Sequence, residues 1–553
     1  MPAPVEDQKQ AFFFRSAKAW QNYFDARGLL PGIEPSREQI TVIQQNENQM
    51  LINGSAGTGK SITLLYKLIK TMEQEQEGQR ILYVTFNRTL LDDARKRAKR
   101  SKQFEYLKGR HELHMHTFHY MAYTLLKQMG FEWVRPFNST LRDIKNMEND
   151  LMRRIRIILE SYTNSPEYSC LPQGEKFYAT QNAAFFLEEI LWMKANGYIR
   201  KEDYLKVERT GRSNNPRLTK LQRNTVYNIF EEYQRQMKEK FHQDMDMEDY
   251  ALLLLQYFDQ IQPELHYDYI YVDEVQDLKP MQIKILAKLA NKSIVICGDP
   301  KQRIYKNSPH TYANLGLQIQ GRKNRNLNTN FRSTKQIMAL ANALEFEDIE
   351  KEREDTRNFV REGEKPEIRF YDTQDKMHKY LIKAIKQIIA KDPSSTIAVI
   401  HRYEEEIIRN KTPRVKNALA SQFFLITTEQ YNKQFDYNAE KRPIFFTDAY
   451  SVKGLEFDHV FILQFDRTHY PHQKRIDDLN AQAEKRSSDS YDRDYDTILN
   501  DEKKILYVAL TRARKTAVLL WVGNNHLKVS PFIRDFKGSD YHAYGFKKSI
   551  FAK

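Results

Sequence analysis

Residues 54–61 read GSAGTGKS, and these eight residues indicate the fold class of the first part of the chain. It matches the phosphate-loop pattern G-x-x-x-x-G-K-[ST]. In such a loop backbone N–H groups surround phosphates, the lysine reaches the terminal phosphates and the hydroxyl holds Mg²⁺. An apolar segment at 50–52 precedes the loop and a helical apolar pattern at 62–69 follows it. Strand, loop and helix in this order place a helix N-terminus against the anion. The candidate ligands of a nucleotide are Gly54, Ser55, Ala56, Gly57, Thr58, Gly59, Lys60 and Ser61.

A second stretch, YIYVDEVQD at 269–277, supplies the acidic residues that the loop lacks. An acid at the end of a second strand can meet the metal. We therefore expect Asp273, acting through a water molecule and together with Ser61, to hold Mg²⁺, and Glu274 to orient or deprotonate the attacking water. Adjacent acids at a strand end can instead be a helix N-cap or ordinary loop residues. The phosphate loop favours the catalytic interpretation because it requires such a pair.

Length and composition indicate a globular protein with several domains. A chain of 553 residues is too long for one core, so two to four domains are expected. No apolar run approaches the ~20 residues of a membrane helix, and the N-terminal residues do not resemble a secretory signal. Two cysteines, Cys170 and Cys297, exclude a disulfide framework and a cysteine-based zinc site. His114 and His116 alternate as on a strand, which does not favour a metal site. A cytoplasmic protein is expected.

The formal net charge of +14 is unevenly distributed and indicates affinity for a polyanion. Two basic clusters stand out. Solvated helix faces are the plain alternative, but nucleotide chemistry in the same chain favours contact with nucleic acid. The clusters contain Arg95, Lys96, Arg97, Lys99, Arg100 and Lys102 in one case, and Arg209, Arg212, Arg217, Lys220 and Arg223 in the other.

Short apolar segments that alternate with helical patterns predict an α/β fold with doubly wound parallel sheets. The segments form two groups, which indicates two lobes. The charged segment 484–496 is expected to be a mobile loop or a short solvated helix. Strands are predicted at 50–53, 81–86, 269–272, 293–297, 396–400, 444–447, 460–463 and 517–522. The predicted domains are an N-terminal arm (1–30), a first lobe (31–119 and 246–325), a mainly helical insertion (120–245) and a second lobe (326–553).

The phosphate loop and DEVQD together resemble superfamily 1 helicases of the UvrD/Rep type, and the other motifs of that family follow in order between residues 35 and 522. The resemblance implies two RecA-like lobes with ATP between them. It assigns adenine contacts to Gln39 of SREQITVI and Phe331 of NTNFRST, and a ribose contact to Glu456 of SVKGLEFDHVFI. It assigns γ-phosphate contacts to Gln302 of GDPKQRIY, Arg332 of NTNFRST and Arg512 of ILYVALTRAR.

The resemblance also assigns two segments to a single-stranded nucleic acid, namely TFNRTL (85–90) and HTFHYMA (116–122), and Tyr305 of GDPKQRIY is a further aromatic candidate for stacking on a base. An aromatic side chain in such a motif can instead pack in the core, and for Phe118 and Tyr305 both interpretations stay open. The candidate contacts are Phe86, Asn87, Thr117, Phe118, His119 and Tyr305.

The function implied by the resemblance is ATP-dependent translocation, or helicase activity, on single-stranded DNA in the 3′-to-5′ direction. An alternative is a nucleotide-gated nucleic-acid-binding subunit that recruits or regulates a nuclease or a polymerase and does not unwind by itself. An RNA-directed enzyme is a third candidate. No membrane partner is expected.

The chain departs from the family pattern at several places. Ile62 follows the phosphate loop where the family usually has an arginine, and Lys306 and Asn307 follow Tyr305 where it usually has a tryptophan. TFNRTL replaces T-F-T-N-K-A-A. The space between residues 400 and 451 is too short for the family's large accessory domain, so translocation is a safer expectation than processive unwinding.

Overall fold

The computed structural model describes most of the chain between Leu29 and Phe551. The described residues are 29–30, 34–86, 88–137, 141–177, 181–207, 218–240, 244–299, 310–346, 358–403, 412–427, 444–449, 452, 455–483 and 488–551.

Six strands of the first lobe form one sheet in the order β3-β2-β4-β5-β1-β6, and every pair is parallel. The carboxyl ends of parallel strands meet at one edge of a sheet, so the loops after β1, β2, β4 and β5 converge there. The strands are β1 (Gln49–Gly54), β2 (Arg80–Thr85), β3 (Glu112–Thr117), β4 (Tyr267–Val272), β5 (Ala290–Gly298) and β6 (Asn324–Leu327).

Helices cover both faces of this sheet, because its strands carry buried apolar residues on both sides. One apolar cluster contains Leu64 and Leu68 of the helix after the phosphate loop. A second cluster contains Met121 and Leu125 of the helix after β3. The helices before the insertion are α1 (Arg37–Gln44), α2 (Lys60–Gln74), α3 (Arg88–Lys99), α4 (Lys102–Leu107) and α5 (Phe118–Gln128).

The helical insertion has a core of its own, which includes Ile155, Phe186 and Phe230. Its helices are α6 (Leu141–Thr163), α7 (Pro166–Cys170), α8 (Ala183–Ala195), α9 (Lys201–Lys206) and α10 (Lys220–Glu239). Helix α5 packs in the first lobe instead, since its apolar face contacts the sheet. The separate core therefore begins later in the chain than the predicted boundary at residue 120. The first lobe resumes with α11 (Asp249–Gln256) and α12 (Pro280–Leu289).

The second lobe contains a seven-stranded sheet in the order β11-β12-β10-β13-β14-β9-β15, which is also parallel. A small parallel pair, β7 (Thr329–Asn330) and β8 (Asn358–Phe359), precedes it. The strands of the seven-stranded sheet are β9 (Glu367–Tyr371), β10 (Ile397–His401), β11 (Leu425–Ile426), β12 (Ile444–Asp448), β13 (Phe457–Ile462), β14 (Ala513–Val522) and β15 (His542–Tyr544). Its helices are α13 (Lys335–Asn342), α14 (Gln374–Lys391), α15 (Arg414–Ala420), α16 (Gln473–Ala483) and α17 (Ser488–Leu510).

The predicted fold class, α/β with two parallel sheets, is confirmed. The predicted strands do not include β3, β6, β7, β8, β9 and β15, which are short or carry few apolar residues. Of the two alternatives kept for 484–496, a mobile loop or a short helix, residues 488–496 adopt the helix, which is not short but continues as α17 to Leu510. The charged start of this helix continues into an apolar stretch that includes buried Ile498 and Ile505, and burial of that stretch stabilises the whole helix.

Between β10 and β13 the described residues contain α15, β11 and β12.

None of the helices in the described part of the chain has the length and apolar character needed to span a membrane.

Candidate active site

The phosphate loop joins β1 to α2 and depends on glycine at two positions. Gly57 and Gly59 have φ angles of +87° and +78°, a left-handed conformation that strains other residues. A Cβ atom on Gly59 would lie 2.4 Å from Gln39 Nε2, and one on Gly57 would lie 2.6 Å from Arg332 Cβ. Both positions thus require glycine, and the Arg332 segment of the second lobe passes directly against the loop.

Lys60 is the first residue of α2, and its charge lies within the loop. The Lys60 ammonium donates to the carbonyl oxygens of Gly54 (2.9 Å) and Ser55 (3.2 Å). The side chain is almost fully buried. A buried ammonium beside a helix N-terminus forms a site for an anion such as a phosphate group.

Asp273 follows β4 and faces the start of α2. Its Oδ1 accepts hydrogen bonds from Ser61 Oγ, Cys297 Sγ and its neighbour's amide, Glu274 N, each at 3.0 Å. Its Oδ2 accepts from the Tyr83 hydroxyl at 2.7 Å. The structure therefore brings together the two predicted Mg²⁺ ligands, Ser61 and Asp273.

The Asp273 carboxylate is surrounded by uncharged donors, and the shifts in the pKa values of these groups reflect this arrangement. Burial and the neighbouring Glu274 raise the pKa of Asp273, while the hydrogen bonds from Cys297, Tyr83 and Ser61 oppose the rise. Burial and the Asp273 charge raise the pKa of Tyr83 and of Cys297 well above their usual values, so both keep their protons and donate. A carboxylate and a hydroxyl form the hard oxygen set that Mg²⁺ takes when phosphates supply further ligands, so these residues fit the ion.

Glu274 adopts a left-handed backbone conformation, with φ of +51°. Such a conformation costs free energy in a non-glycine residue and recurs at functional sites. Its carboxylate accepts a hydrogen bond from Gln276 Nε2, and Gln276 Oε1 accepts from Asp299 N at 3.2 Å. Gly298 leaves room for this amide, since a Cβ there would lie 2.4 Å from Gln276 Oε1. Gln276 thus orients the predicted catalytic acid, a role that the motif comparison did not assign.

The segment that crosses to the second lobe is hydrogen-bonded to the phosphate loop. Asn330 Nδ2 donates to Ala56 O (2.7 Å), and Phe331 N donates to Gly57 O (3.0 Å). Asn330 Oδ1 accepts from the amides of Arg332 (2.9 Å) and Ser333 (3.1 Å). Asn330 therefore sets the direction in which Phe331 and Arg332 leave the loop.

Gln39 lies against the same loop, within helix α1. Its amide Nε2 donates to Thr58 O at 3.1 Å, and its Oε1 accepts from Ser36 N at 2.8 Å in a capping box. The contact fixes the distance between the start of α1 and the loop. Gln39 also borders the cavity described below.

The two predicted arginines reach the site from the second lobe. Arg332 forms an ion pair with Glu456. Arg512 is buried and donates to the carbonyl oxygens of Val508 (3.1 Å) and Leu455 (3.3 Å). Burial and the nearby Arg332 lower the pKa of Arg512 to about 10, so it stays charged at neutral pH.

Glu456 lies among guanidinium groups. Burial raises the pKa of its carboxyl, but the charges of Arg332, Arg512, Arg514 and Arg97 outweigh that effect and lower it overall. The carboxylate therefore stays ionised and balances part of the positive charge in this region.

These groups border one cavity of about 470 Å³, a size within the range of small-molecule sites. The cavity lies between the lobes, and both contribute charged side chains. Its lining residues are Glu34, Gln39, Ala56, Gly57, Gly59, Lys60, Ser61, Ile62, Leu90, Asp93, Arg97, Glu274, Phe331, Arg332, Arg361, Glu456, Arg512 and Arg514.

Several cavity residues escaped the sequence analysis. Arg97 was placed in a nucleic-acid-binding cluster, but its Nε donates to Asp93 at 2.7 Å and both side chains border the cavity. Their spacing of four residues on α3 was the available signal. Arg361 lies outside the quoted motifs, whereas Arg514 ends the motif ILYVALTRAR, in which only Arg512 had been assigned a role.

The structure corrects part of the predicted nucleic-acid surface. Phe118 and His119 are fully buried, and Thr117 is nearly so. Phe118 packs in the core, His119 Nε2 contacts Met247 O at 3.1 Å, and Thr117 accepts from Tyr120 N as the N-cap of α5. None of the three side chains presents an exposed face, so all three support the fold in this structure, and of the two interpretations kept for Phe118 the structure favours core packing. Phe86 is partly exposed and contacts the His119 ring edge-on.

Asn87, Gln302 and Tyr305 lie outside the described residues, as do Arg209, Arg212, Arg217 and the side chain of Lys220. Among the remaining basic candidates, Arg95 donates to Met115 O. Arg223 donates to Tyr204 O, Leu205 O and Val207 O at 3.3, 3.2 and 2.7 Å. These two arginines are partly buried and donate to backbone carbonyl groups, so each contributes to the fold, and their contact with nucleic acid stays a prediction.

Two family models match the chain. The model of the UvrD/REP helicase N-terminal domain matches residues 36–308, and the model of the UvrD-like helicase C-terminal domain matches residues 409–524. Together they include the phosphate loop, the acid pair, Glu456 and Arg512.

The relatives similar to this chain carry related descriptions. The ATP-dependent DNA helicase srs2 of Schizosaccharomyces pombe is 26% identical over 65% of this chain and 40% of its own length. The putative ATP-dependent DNA helicase YjcD of Bacillus subtilis is 25% identical over 57% of this chain and 39% of its length. The ATP-dependent DNA helicase PcrA of Leuconostoc citreum is 23% identical over 64% and 44%. The chain thus spans less than half the length of these relatives.

Proposed function

Since the chain belongs to the UvrD-like helicase family, we propose that it hydrolyses ATP and moves along single-stranded DNA in the 3′-to-5′ direction. The observation that carries the proposal is the shared cavity, in which Lys60 and Glu274 of the first lobe face Arg332 and Arg512 of the second. A triphosphate is the ligand that needs a phosphate loop, an acid for water and two cations together.

Each wall of the cavity has its own part in hydrolysis. The phosphate loop and Lys60 bind the phosphate chain through amides and an ammonium group. Glu274, oriented by Gln276, accepts a proton from the attacking water. Arg332 and Arg512 offset the negative charge that develops on the transferred phosphate, a contribution of roughly 10³–10⁵ in rate for such arginines.

Mg²⁺ would be held by Ser61 and Asp273, whose oxygen atoms lie 3.0 Å apart. The ion would neutralise part of the charge on the nucleotide phosphates. Asp273 comes to this site from the end of β4 and Ser61 from the first turn of α2.

Movement follows from the position of the ligand between two bodies. ATP draws Arg332 and Arg512 towards Lys60 because all three compensate the same charge. Hydrolysis and phosphate release remove that attraction. A strand that contacts both lobes then advances with each cycle of closing and opening, which is why we propose translocation as the output.

The ATP site is tested by ATPase measurements on the full chain with and without single-stranded DNA. Single-stranded DNA should stimulate turnover of the wild type. Lys60→Ala should lower turnover by roughly 10²-fold or more, since a preorganised charge donor is lost. Lys70→Ala is the matched control, because Lys70 lies on the same helix, pairs with Glu73 and does not border the cavity. Wild-type turnover in Lys60→Ala would refute the assignment.

Glu274→Gln separates binding from chemistry. The amide cannot accept the proton, so turnover should fall by roughly 10²–10⁴-fold while ATP still binds. Equilibrium binding of a fluorescent ATP analogue measures the second point. The exposed Glu264→Gln is the control, and simultaneous loss of binding would contradict a purely catalytic role for Glu274.

A nucleotide-gated subunit that recruits a nuclease or a polymerase is the second candidate. It is favoured by the short internal stretch between β10 and β13, where the family that the sequence resembles has a large accessory domain. Strand displacement on duplexes with a 3′ or a 5′ tail distinguishes the two. ATP-dependent displacement from the 3′ tail supports the motor, whereas ATP-dependent DNA binding without displacement supports the gated subunit. Stimulation by RNA in place of DNA would favour an RNA substrate.

A further inference from the structure

The carboxylate of Asp273 is reached from both neighbouring strands. Tyr83 of β2 lies on one side and Cys297 of β5 on the other, and both side chains are fully buried. The register explains the convergence. Tyr83 pairs with Tyr271, two residues before Asp273, so all three side chains lie on one face of the sheet.

Cys297 reaches the same face by the same rule. Val272 pairs with Ile296, so Asp273 and Cys297 are the next positions in that register. This face packs against α2, the helix that carries Lys60 and Ser61. The two donors therefore hold Asp273 from beneath the phosphate loop.

We propose that Tyr83 is a positioning residue for the cation site, and that its hydroxyl and the Cys297 thiol keep the Asp273 carboxylate directed at Ser61. This inference rests on the proposed nucleotide-hydrolysing function. We call Tyr83, Cys297 and the Glu274 amide the Asp273 clamp. Among the described residues, Oδ2 receives one donor, the Tyr83 hydroxyl at 2.7 Å, whereas Oδ1 receives three. Loss of the Tyr83 hydroxyl therefore removes the hydrogen bond that the described part of the chain donates to Oδ2.

The unequal number of donors on the two Asp273 oxygens also predicts which substitution weakens cation binding more. When a cation engages Ser61 and Asp273, the clamp donors are the groups that still fix the carboxylate rotamer. Residues that orient a metal ligand typically contribute about 10–100-fold in metal affinity. Tyr83 should contribute more than Cys297, because Oδ1 retains the Glu274 amide after the thiol is lost.

The test measures metal binding directly, apart from turnover. Mn²⁺ binding to the full chain saturated with ADP is followed by electron paramagnetic resonance. Tyr83→Phe should weaken Mn²⁺ binding about tenfold while ADP binding in the presence of EDTA stays unchanged. Tyr271→Phe is the matched control. Its hydroxyl is bonded to Thr71 Oγ1 at 2.6 Å on the same face of the sheet, so its removal should leave Mn²⁺ affinity unchanged.

Variants on the other side of the clamp keep the test decisive if Tyr83→Phe does not fold, which circular dichroism would detect. Cys297→Ala should weaken Mn²⁺ binding by a smaller factor, and Cys297→Ser should restore it because a hydroxyl also donates. Equal Mn²⁺ affinity in wild type, Tyr83→Phe and Cys297→Ala would overturn the clamp, as would an equal loss in Tyr271→Phe. Failure of the wild type to bind ADP would refute the proposed function instead.

Discussion

The two walls of the cavity are fixed in different ways. In the first lobe, Asp273 sits at a strand end and accepts donors from both neighbouring strands and from α2. In the second lobe, Arg332 pairs with a carboxylate and Arg512 with backbone carbonyl groups of its own lobe. The sheet itself positions the acids, whereas local contacts position the arginines. A ligand that joins the walls has to compete with Glu456 for Arg332.

The largest effect is expected from removing Arg332 or Arg512, which we call the arginine wall of the cavity because both come from the second lobe. Arg512→Ala and Arg332→Ala should each lower ATP turnover by about 10³–10⁵-fold, because the charge on the transferred phosphate loses a compensating cation. Stimulated ATPase rates measure this. Arg534→Ala, an exposed position in the same lobe, is the control. Full turnover in either variant would mean that the second lobe does not take part in the chemistry.

A second prediction concerns what supports the arginine wall. Glu502 is fully buried in α17, the helix that leads to Arg512. Its carboxylate accepts from Arg402 at 2.8 Å and from Arg475 at 2.6 Å. Glu502→Ala removes the carboxylate that both guanidinium groups share in this buried cluster, and the loss of one member of a buried ion pair should cost about 3–5 kcal/mol of unfolding free energy. Urea unfolding measures the change.

The control for that experiment is Glu364→Ala, which removes an exposed carboxylate of the second lobe. An equally small effect of both substitutions would show that α17 does not depend on the buried charges. Helix α2 of the first lobe packs through apolar residues such as Leu64 and Leu68, and α17 would then likewise be held by apolar contacts alone.

The smallest expected effect is the pH dependence that His119 of the first lobe adds to the free energy of unfolding. Burial lowers the pKa of His119 to about 4, against about 6.5 in an unfolded chain. The unfolded chain therefore takes up this proton first as the pH falls. The stabilising effect is present above pH ~6.5 and is lost between pH ~6.5 and ~4, by about 3 kcal/mol at most.

His119→Gln retains a donor towards Met247 O and does not titrate. The drop in unfolding free energy between pH 7 and pH 5 should therefore be smaller in this variant than in the wild type, as measured by urea unfolding at both values. Single-stranded DNA affinity at pH 7 should not change. A large loss of DNA affinity would return His119 to the nucleic-acid surface.

The motifs that carry the chemistry could be identified from the sequence because each consists of neighbouring residues. GSAGTGKS needs only its own glycines and the following helix to form a loop for phosphates, and β4 places Asp273 and Glu274 at a strand end. Alternation of short apolar runs with helices predicted both sheets for the same reason. Strand β6, with the sequence NRNL, carries no such signal and joins its sheet only through pairing with β1.

The motifs did not predict which of their side chains would be buried or towards which surface they would point. HTFHYMA has the composition of a stacking surface, yet Phe118 and His119 face the core because β3 leads directly into α5 against the sheet. Arg97 is basic and lies in a basic cluster, but the orientation of α3 turns it towards the cavity. Neither outcome follows from the residue type.

By itself the sequence determined the phosphate loop, the acid pair, the two arginine motifs and the α/β class, since backbone propensity and residue chemistry act over a few neighbouring positions. Only the tertiary structure decided which side chains meet. Tyr83 and Cys297 lie far apart in the chain and converge on Asp273 because parallel register aligns their strands. Pairing between distant strands depends on the packing of the whole sheet, and no local pattern records it.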